Sequence, residues 1–224
     1  MVMLKKVSGL FALFSLVFFT QNVLAAGAPI GDPVAGADKS GLCQGCHGAT
    51  GNSESADFPR LAGQYAGYIV KQIKDFKSGV RANNDTMAGM AATVESVQDM
   101  KDIASYFAQQ KMASEPLHKP NKKLAEKGEE IFTKGRPEKD LYACINCHGE
   151  RGKGKAGTIS TFPVIGGQHK DYIIKELQDL QSGLRANDPA GMMADIAKKL
   201  SADEVEAVAE YLSLQLAPND KDKK

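Results

Sequence analysis

The sequence has no tryptophan, and aromatic residues make up only 7% of its 224 positions. Neither sign of charge dominates, since 28 lysines and arginines stand against 27 aspartates and glutamates. A balanced chain lacks the basic excess of nucleic-acid-binding proteins, so we expect no nucleic acid as partner. Histidine and cysteine are scarce, at four residues each. Their positions therefore carry most of the information about function.

Long apolar runs are also absent, apart from one near the N-terminus. Lys5 and Lys6 precede an almost uninterrupted apolar stretch, Leu10 to Phe19, and Val23-Leu24-Ala25 follows it. This order is typical of a secretory signal peptide, and the apolar stretch is shorter than the roughly 20 residues that span a bilayer. We expect residues 1–25 to be removed on export and the mature protein to reside in the periplasm. The sequence leaves open a loose association with the membrane.

The four cysteines fall in two motifs, Cys43-Gln-Gly-Cys46-His47 and Cys144-Ile-Asn-Cys147-His148. Cys-x-x-Cys-His is the attachment signature of c-type haem. Two thiols one helical turn apart can form thioethers with the two vinyl groups of one porphyrin, and the histidine that follows can ligate the iron. The spacing therefore predicts two covalent haems per chain, each attached through two cysteines and ligated by His47 or His148.

Three other uses of these cysteines fit the sequence less well. Two disulfides are common in small exported domains, but they do not account for a histidine after each pair. A thioredoxin-like redox pair belongs in a βαβ pattern, which the sequence lacks. A zinc site could use both pairs, but zinc also leaves the histidines unexplained, and the pairs lie about a hundred residues apart in duplicated surroundings.

An internal repeat surrounds the motifs. Residues 58–83 align without gaps on residues 162–187, and 13 of these 26 positions are identical. We therefore predict a tandem duplication of one haem-binding unit. The expected boundaries are an N-terminal domain over residues 26–112, a polar, proline-bearing linker over 113–123 and a C-terminal domain over 124–224.

The periodicity of apolar residues predicts an all-α fold. Helical stripes end at Gly79 in the first unit and at Gly183 in the second, and they comprise Ile69, Val70, Ile73 and Phe76, then Ile173, Ile174, Leu177 and Leu180. Ser201 and Glu204 form a capping-box pattern before a final helix, as Ser96 and Asp99 do in the first unit. No alternating strand pattern of useful length is present.

The second axial ligand of each iron is predicted to be a methionine. His118 lies in the linker and His169 aligns with Tyr65, so the repeat supplies no second histidine. Thioether sulfur is a known axial ligand of haem iron, and it raises the reduction potential relative to ligation by two histidines. A methionine cluster recurs before the last helix of each unit, and its members are Met87 and Met90, then Met192 and Met193. Counting back from Tyr106 and the equivalent Tyr211 pairs Met87 with Met192, and the choice stays open at this point.

The two haem motifs, the Phe-Pro-x-x-x-Gly-Gln segments and the paired methionine loops together resemble the cytochrome c4 family of periplasmic dihaem proteins. The resemblance covers residues 31–216. It implies two class I cytochrome c domains, each wrapped around one covalent haem, with Met87 and Met193 as distal ligands. It also implies that the carbonyls of Pro59 and Pro163 accept a hydrogen bond from the haem histidines. Arg81 and Arg185 could pair with haem propionates, bridge the domains or lie solvated at a helix end.

The function implied by the resemblance is electron transfer rather than catalysis. An iron with histidine and methionine both bound offers no open site to a substrate. By resemblance, the protein is a monomer that carries electrons from a quinol-oxidising complex to a terminal oxidase or reductase. Two alternatives are a dihaem peroxidase, which needs one open iron, and the cytochrome subunit of a dehydrogenase such as a flavocytochrome sulfide dehydrogenase.

Overall fold

A computed structural model of the chain describes residues 30–154 and 162–216, so the predicted signal peptide, residues 1–25, lies outside the described residues. Within them the structure is helical, as the sequence predicts, and an isolated bridge between Arg136 and Leu141 is the extent of strand pairing. The α-helices are α1 (Pro33–Lys39), α2 (Gly41–His47), α3 (Ala66–Lys77), α4 (Asp85–Ala92), α5 (Val97–Ala108), α6 (Lys122–Lys134), α7 (Ile145–His148), α8 (Lys170–Ser182), α9 (Met192–Lys198) and α10 (Ala202–Ser213). Short 3-10 turns occupy Pro137–Lys139, Glu150–Gly152 and Pro189–Gly191.

Each repeat is built on a crossing between its first and last helices, α1 with α5 and α6 with α10. A glycine makes the crossing close. A Cβ on Gly36 would overlap the carbonyl oxygen of Asp102, and one on Gly128 would overlap the carbonyl oxygen of Ala207. The two helix backbones are therefore nearly in contact, which fixes the frame on which the cysteine-bearing helices are mounted.

The predicted helical stripes face the core. On α3, Ile69, Val70, Ile73 and Phe76 are buried with Met100 and Phe107 of α5. On α8, Ile173, Leu177 and Leu180 are buried with Val208 and Leu212 of α10. Each repeat thus has its own hydrophobic core. The two cores follow from the same apolar pattern, repeated 104 positions later.

Both predicted capping boxes are present. The hydroxyl of Ser96 accepts from the backbone of Asp99, and that of Ser201 accepts from the backbone of Glu204, while each carboxylate reaches back to the cap nitrogen. These contacts satisfy backbone donors at the start of α5 and α10. None of the helices in the described ranges combines the length and hydropathy of a bilayer-spanning segment.

Candidate cofactor site

The cysteines of both motifs sit on short helices. Cys43 and Cys46 lie on α2. Cys147 lies on α7, and Cys144 is the N-cap of that helix. The spacing of three places the two sulfurs of each pair on one helix face. None of the four is in a disulfide, and Cys46 and Cys147 are exposed. Burial raises the pKa of Cys144 to about 11 and also raises that of Cys43. The structure thus presents paired thiols rather than bridges.

The histidine of each motif is buried and oriented by one hydrogen bond. The Nδ1 atom of His47 lies 2.8 Å from the carbonyl oxygen of Pro59, and that of His148 lies 2.9 Å from the carbonyl oxygen of Pro163. Burial lowers the pKa of both imidazoles, against the opposing effect of these carbonyls, and so favours the neutral ring. With Nδ1–H donating to a carbonyl, Nε2 is the nitrogen free to ligate a metal. The contact expected from the resemblance is present in both repeats.

One cavity of about 850 Å³ runs through both repeats. Its walls include both cysteine pairs, both buried histidines and all four loop methionines, with apolar side chains such as Leu61, Ile69, Ile173 and Leu180 between them. An apolar space that brings paired thiols, an imidazole and thioethers to its surface suits a covalent haem in each half. Residues 30–154 and 162–216 contain no group of three His, Cys, Asp or Glu side chains placed to hold a metal ion.

The methionine loops differ between the repeats by one short turn. In the first, Asn84 caps α4 and its side chain accepts from the backbone nitrogen of Met87 at 2.8 Å. In the second, the equivalent Asp188 accepts from the backbone nitrogen of Met193, also at 2.8 Å, across the 3-10 turn that precedes α9. Judged by the capping contact, Met87 corresponds to Met193.

Burial favours the same pair. Met87 and Met193 pack against the cores of their repeats. Met90 and Met192 are 37% and 44% exposed. The residue count from Tyr211 pairs Met87 with Met192 instead, because Ser96 lies nine residues after Met87 whereas Ser201 lies eight after Met193, so this segment is one residue shorter in the second repeat. Asp188 lies 104 residues after Asn84, the offset of the repeat, so the capping position can be found from the sequence, but three residues on from it lies Gly191 rather than a methionine.

The two remaining histidines have other partners. The ring of His169 is buried between the repeats, with Nε2 lying 2.8 Å from the hydroxyl of Ser53. Burial and the nearby Arg60 guanidinium lower the pKa of His169 to about 4. His118 lies 3.2 Å from a carboxylate oxygen of Glu210 on α10. Both histidines therefore serve packing between parts of the chain.

Arg81 and Arg185 bridge the two repeats. The Arg81 guanidinium lies 2.7 Å from one carboxylate oxygen of Glu176, and the Arg185 guanidinium lies 2.8 Å from the other. Arg81 also donates to the hydroxyl of Tyr172, and Arg185 to that of Tyr68. Burial and the Glu176 charge raise the pKa of Tyr172 to about 12, so it stays a neutral hydroxyl. Both arginines therefore bridge the repeats, and the prediction that they lie solvated at a helix end is wrong.

The contacts between the repeats follow an approximate two-fold symmetry. Asn83 donates to Asp179 at 2.7 Å, and the equivalent Asn187 donates to Asp75 at 2.6 Å. Gln64 and Gln168, the glutamines that end the two Phe-Pro-x-x-x-Gly-Gln segments, likewise reach the backbone of the opposite repeat. Their identity in both halves is the signal that could have pointed to them. Equivalent residues thus meet equivalent partners across the boundary.

Comparison with known proteins finds similarity to c-type cytochromes. The sequence profile of the cytochrome c family matches residues 37–111 and 125–215. Cytochrome c4 of Thiocapsa roseopersicina is 42% identical over 197 residues, which are 86% of this chain and 97% of that protein. The thiosulfate dehydrogenase electron acceptor of Thiomonas intermedia is 35% identical over 77% of this chain and 78% of its own length. The crystal structure of reduced cytochrome c4 from Pseudomonas stutzeri superposes with a TM-score of 0.76, at 37% identity, covering 84% of this chain and all of that one.

Proposed function

This chain belongs to the cytochrome c4 family, and on that premise we propose that it carries single electrons in the periplasm from a quinol-oxidising respiratory complex to a terminal oxidase or reductase. Its cytochrome c4 relatives support its being a dihaem electron-transfer cytochrome. We further propose that it acts as a monomer and is not an enzyme.

The cofactor sites in this proposal are assigned residue by residue. Cys43 and Cys46 would hold haem c in the first repeat, and His47 and Met87 would ligate its iron. Cys144 and Cys147 would hold haem c in the second repeat, with His148 and Met193 as the iron ligands. When bound, haem supplies a one-electron iron couple. The chain's own part is to hold a neutral imidazole by its Nδ1–H and to place a thioether in the same apolar cavity.

One observation supports electron transfer above the alternatives. In both repeats a buried histidine, locked by a proline carbonyl, shares a cavity with a core-packed methionine. Such a pair would fill the two coordination positions that a haem leaves open on its iron, so the iron could exchange electrons but could not bind a substrate. A peroxidase would need at least one iron with an open position. A peroxide turnover assay separates the two, and turnover by the holoprotein would contradict the proposal.

The first experiment is intact-mass analysis with haem staining and acid–acetone extraction of the periplasmic protein. We expect the mass of two haems added to the chain, pigment that stays with the polypeptide, low-spin spectra and poor carbon monoxide binding in the reduced state. An N-terminus beginning at Ala26 would support export. Release of the pigment by the solvent would overturn the covalent assignment, and strong carbon monoxide binding at neutral pH would overturn the axial one.

A second candidate function is that of a dedicated acceptor for a dehydrogenase. It is favoured by the similarity to the thiosulfate dehydrogenase electron acceptor of Thiomonas intermedia, and a flavocytochrome sulfide dehydrogenase is another enzyme of this kind. The two functions differ in the donor. Stopped-flow reduction of the oxidised holoprotein by a quinol-oxidising complex, compared with reduction by a sulfur-compound dehydrogenase, distinguishes them. Faster reduction by the dehydrogenase, or its co-purification, would favour this candidate.

A further inference from the structure

The peptide bond that orients His47 is hydrogen-bonded on both sides, and one of its partners comes from the other repeat. Its carbonyl, on Pro59, accepts from His47 Nδ1 at 2.8 Å. Its N–H, on Arg60, donates to Oε1 of Gln168 at 2.8 Å. The Gln168 side chain closes the contact by donating from Nε2 to the Arg60 carbonyl at 3.0 Å. A glutamine of the second repeat thus forms two hydrogen bonds with the backbone segment that orients the first repeat's histidine.

The same arrangement exists in the opposite direction. The carbonyl of Pro163 lies 2.9 Å from Nδ1 of His148, and the N–H of the same peptide, on Val164, donates to Oε1 of Gln64 at 3.0 Å. Nε2 of Gln64 donates to the Val164 carbonyl at 2.7 Å. Gln64 and Val164 are both buried. The contact is therefore reciprocal, and each repeat contributes one glutamine to the other.

Each glutamine is also fixed within its own repeat. Oε1 of Gln64 accepts from the backbone nitrogen of Tyr65, and Oε1 of Gln168 accepts from that of His169, both at 3.0 Å. Tyr65 and His169 are the N-caps of α3 and α8. A side chain anchored to a helix end on one side and to a peptide on the other transmits the relative position of the two repeats.

We propose that Gln64 and Gln168 are positioning residues that tune the haem of the opposite repeat, an inference that rests on the proposed haem ligation. A peptide that donates through its N–H becomes a stronger acceptor at its carbonyl, because hydrogen bonds in a chain polarise one another. A stronger acceptor on Nδ1–H makes the imidazole a better donor to the metal. An electron-rich ligand stabilises the ferric state, so each glutamine lowers the reduction potential of the haem across the boundary.

The test is a redox titration of the holoprotein in which the two haems are followed separately by the NMR signals of their methyl groups. In the variant Gln64→Leu, we expect the potential of the haem ligated by His148 to rise while that of the haem ligated by His47 stays in place. Gln168→Leu should produce the reverse. Exchange of the Nδ1 proton should accelerate at His148 in the first variant and at His47 in the second. A shift confined to the haem of the substituted repeat, or no shift, would overturn the inference.

A general loosening of the contact between the repeats must be distinguished from the proposed effect of each glutamine on the haem of the opposite repeat. Asn83→Ala removes interdomain hydrogen bonds to Asp179 and Glu176, and the acceptor of Arg81 Nε, without touching either histidine-orienting peptide. We expect both potentials to stay near those of the wild type in this control. If Asn83→Ala moves a potential as far as the glutamine variants do, general loosening explains the result and the inference fails.

A second substitution covers the case in which the leucine variants do not fold. Gln64→Glu removes the donor to the Val164 carbonyl but keeps an acceptor for the Val164 N–H, and a carboxylate accepts more strongly than an amide. The potential of the haem ligated by His148 should therefore fall, and fall further than that of the other haem. A rise, or a larger fall in the first repeat, would contradict the inference. Two haems by mass without a crossed pattern would refute only this inference, whereas a chain without haem would refute the proposed function.

Discussion

The guanidinium of Arg81 lies 2.7 Å from the carboxylate of Glu176, and this buried ion pair joins the first repeat to the second. Arg185 lies 2.8 Å from the other oxygen of the same carboxylate. In the first repeat the position equivalent to Glu176 is Gln72, a neutral side chain that accepts from Arg81 at 2.8 Å. One carboxylate therefore serves two arginines, and the charge pattern departs from the two-fold symmetry that the other contacts follow.

We predict that Glu176→Gln destabilises the holoprotein by about 3 kcal/mol, because removing one partner leaves buried charge uncompensated. Urea unfolding at neutral pH measures the change. The substitution reproduces in the second repeat the residue that the first already has, so its shape is compatible with the site. Glu206→Gln is the matched control, since the Glu206 side chain is 48% exposed and its pairing with Lys170 contributes little. Equal losses in the two variants would contradict the prediction.

The methionine assignment predicts a contrast between neighbouring residues. Met193→Leu should remove an axial ligand from one of the two haems, which then binds carbon monoxide in the reduced state. Met192→Leu should leave both haems low-spin, because Met192 is 44% exposed and its backbone lacks the capping contact that Asp188 makes with Met193. Difference spectra with carbon monoxide measure both variants. Carbon monoxide binding by the Met192 variant alone would assign the ligand to Met192 instead.

Features encoded within one helix or one motif could be predicted from the sequence. The stripes on α3 and α8 and the capping boxes at Ser96 and Ser201 depend on neighbours in the chain, and the structure contains all of them. The partners of Arg81 could not be predicted, because Glu176 is 95 residues away and its approach depends on how the two repeats dock. The correspondence of the methionine loops was obscured by two length differences. The 3-10 turn Pro189–Gly191 adds residues before Met193, and the segment from Met193 to Ser201 is one residue shorter than that from Met87 to Ser96.

Close helix crossing predicts an intolerance to substitution at Gly128. A Cβ at this position would overlap the carbonyl oxygen of Ala207, which is backbone and can yield only if α6 and α10 separate. We expect Gly128→Ala to cost about 3 kcal/mol or more, or to prevent recovery of the holoprotein. Gly41→Ala is the control, since nothing lies within 4 Å of a Cβ there. Thermal unfolding and haem content report the difference, and similar stability of the two variants would show that the crossing can relax.

The capping box of α10 predicts an acid-dependent contribution to stability. Burial alone would raise the pKa of Glu204, but hydrogen bonds from Lys139 and from the backbone and hydroxyl of Ser201 outweigh it and lower the pKa to about 2, against an ordinary value of 4.5. Because the folded-state pKa is the lower one, the stabilisation is complete above about pH 4.5 and is lost as the pH falls towards 2.

We therefore expect Glu204→Gln to be less stable than the wild type by about 1–2 kcal/mol at pH 7, a figure discounted for solvent screening. Glutamine retains the capping geometry, so the loss reports the charge. Urea unfolding at several pH values should show the difference shrinking below pH 4.5 and vanishing near pH 2. Lys139→Gln should give a similar profile, and the double variant should lose little more, because Lys139 lies 2.7 Å from the Glu204 carboxylate. A difference that stays constant with pH would mean that the side chain stabilises the helix through packing rather than through its charge.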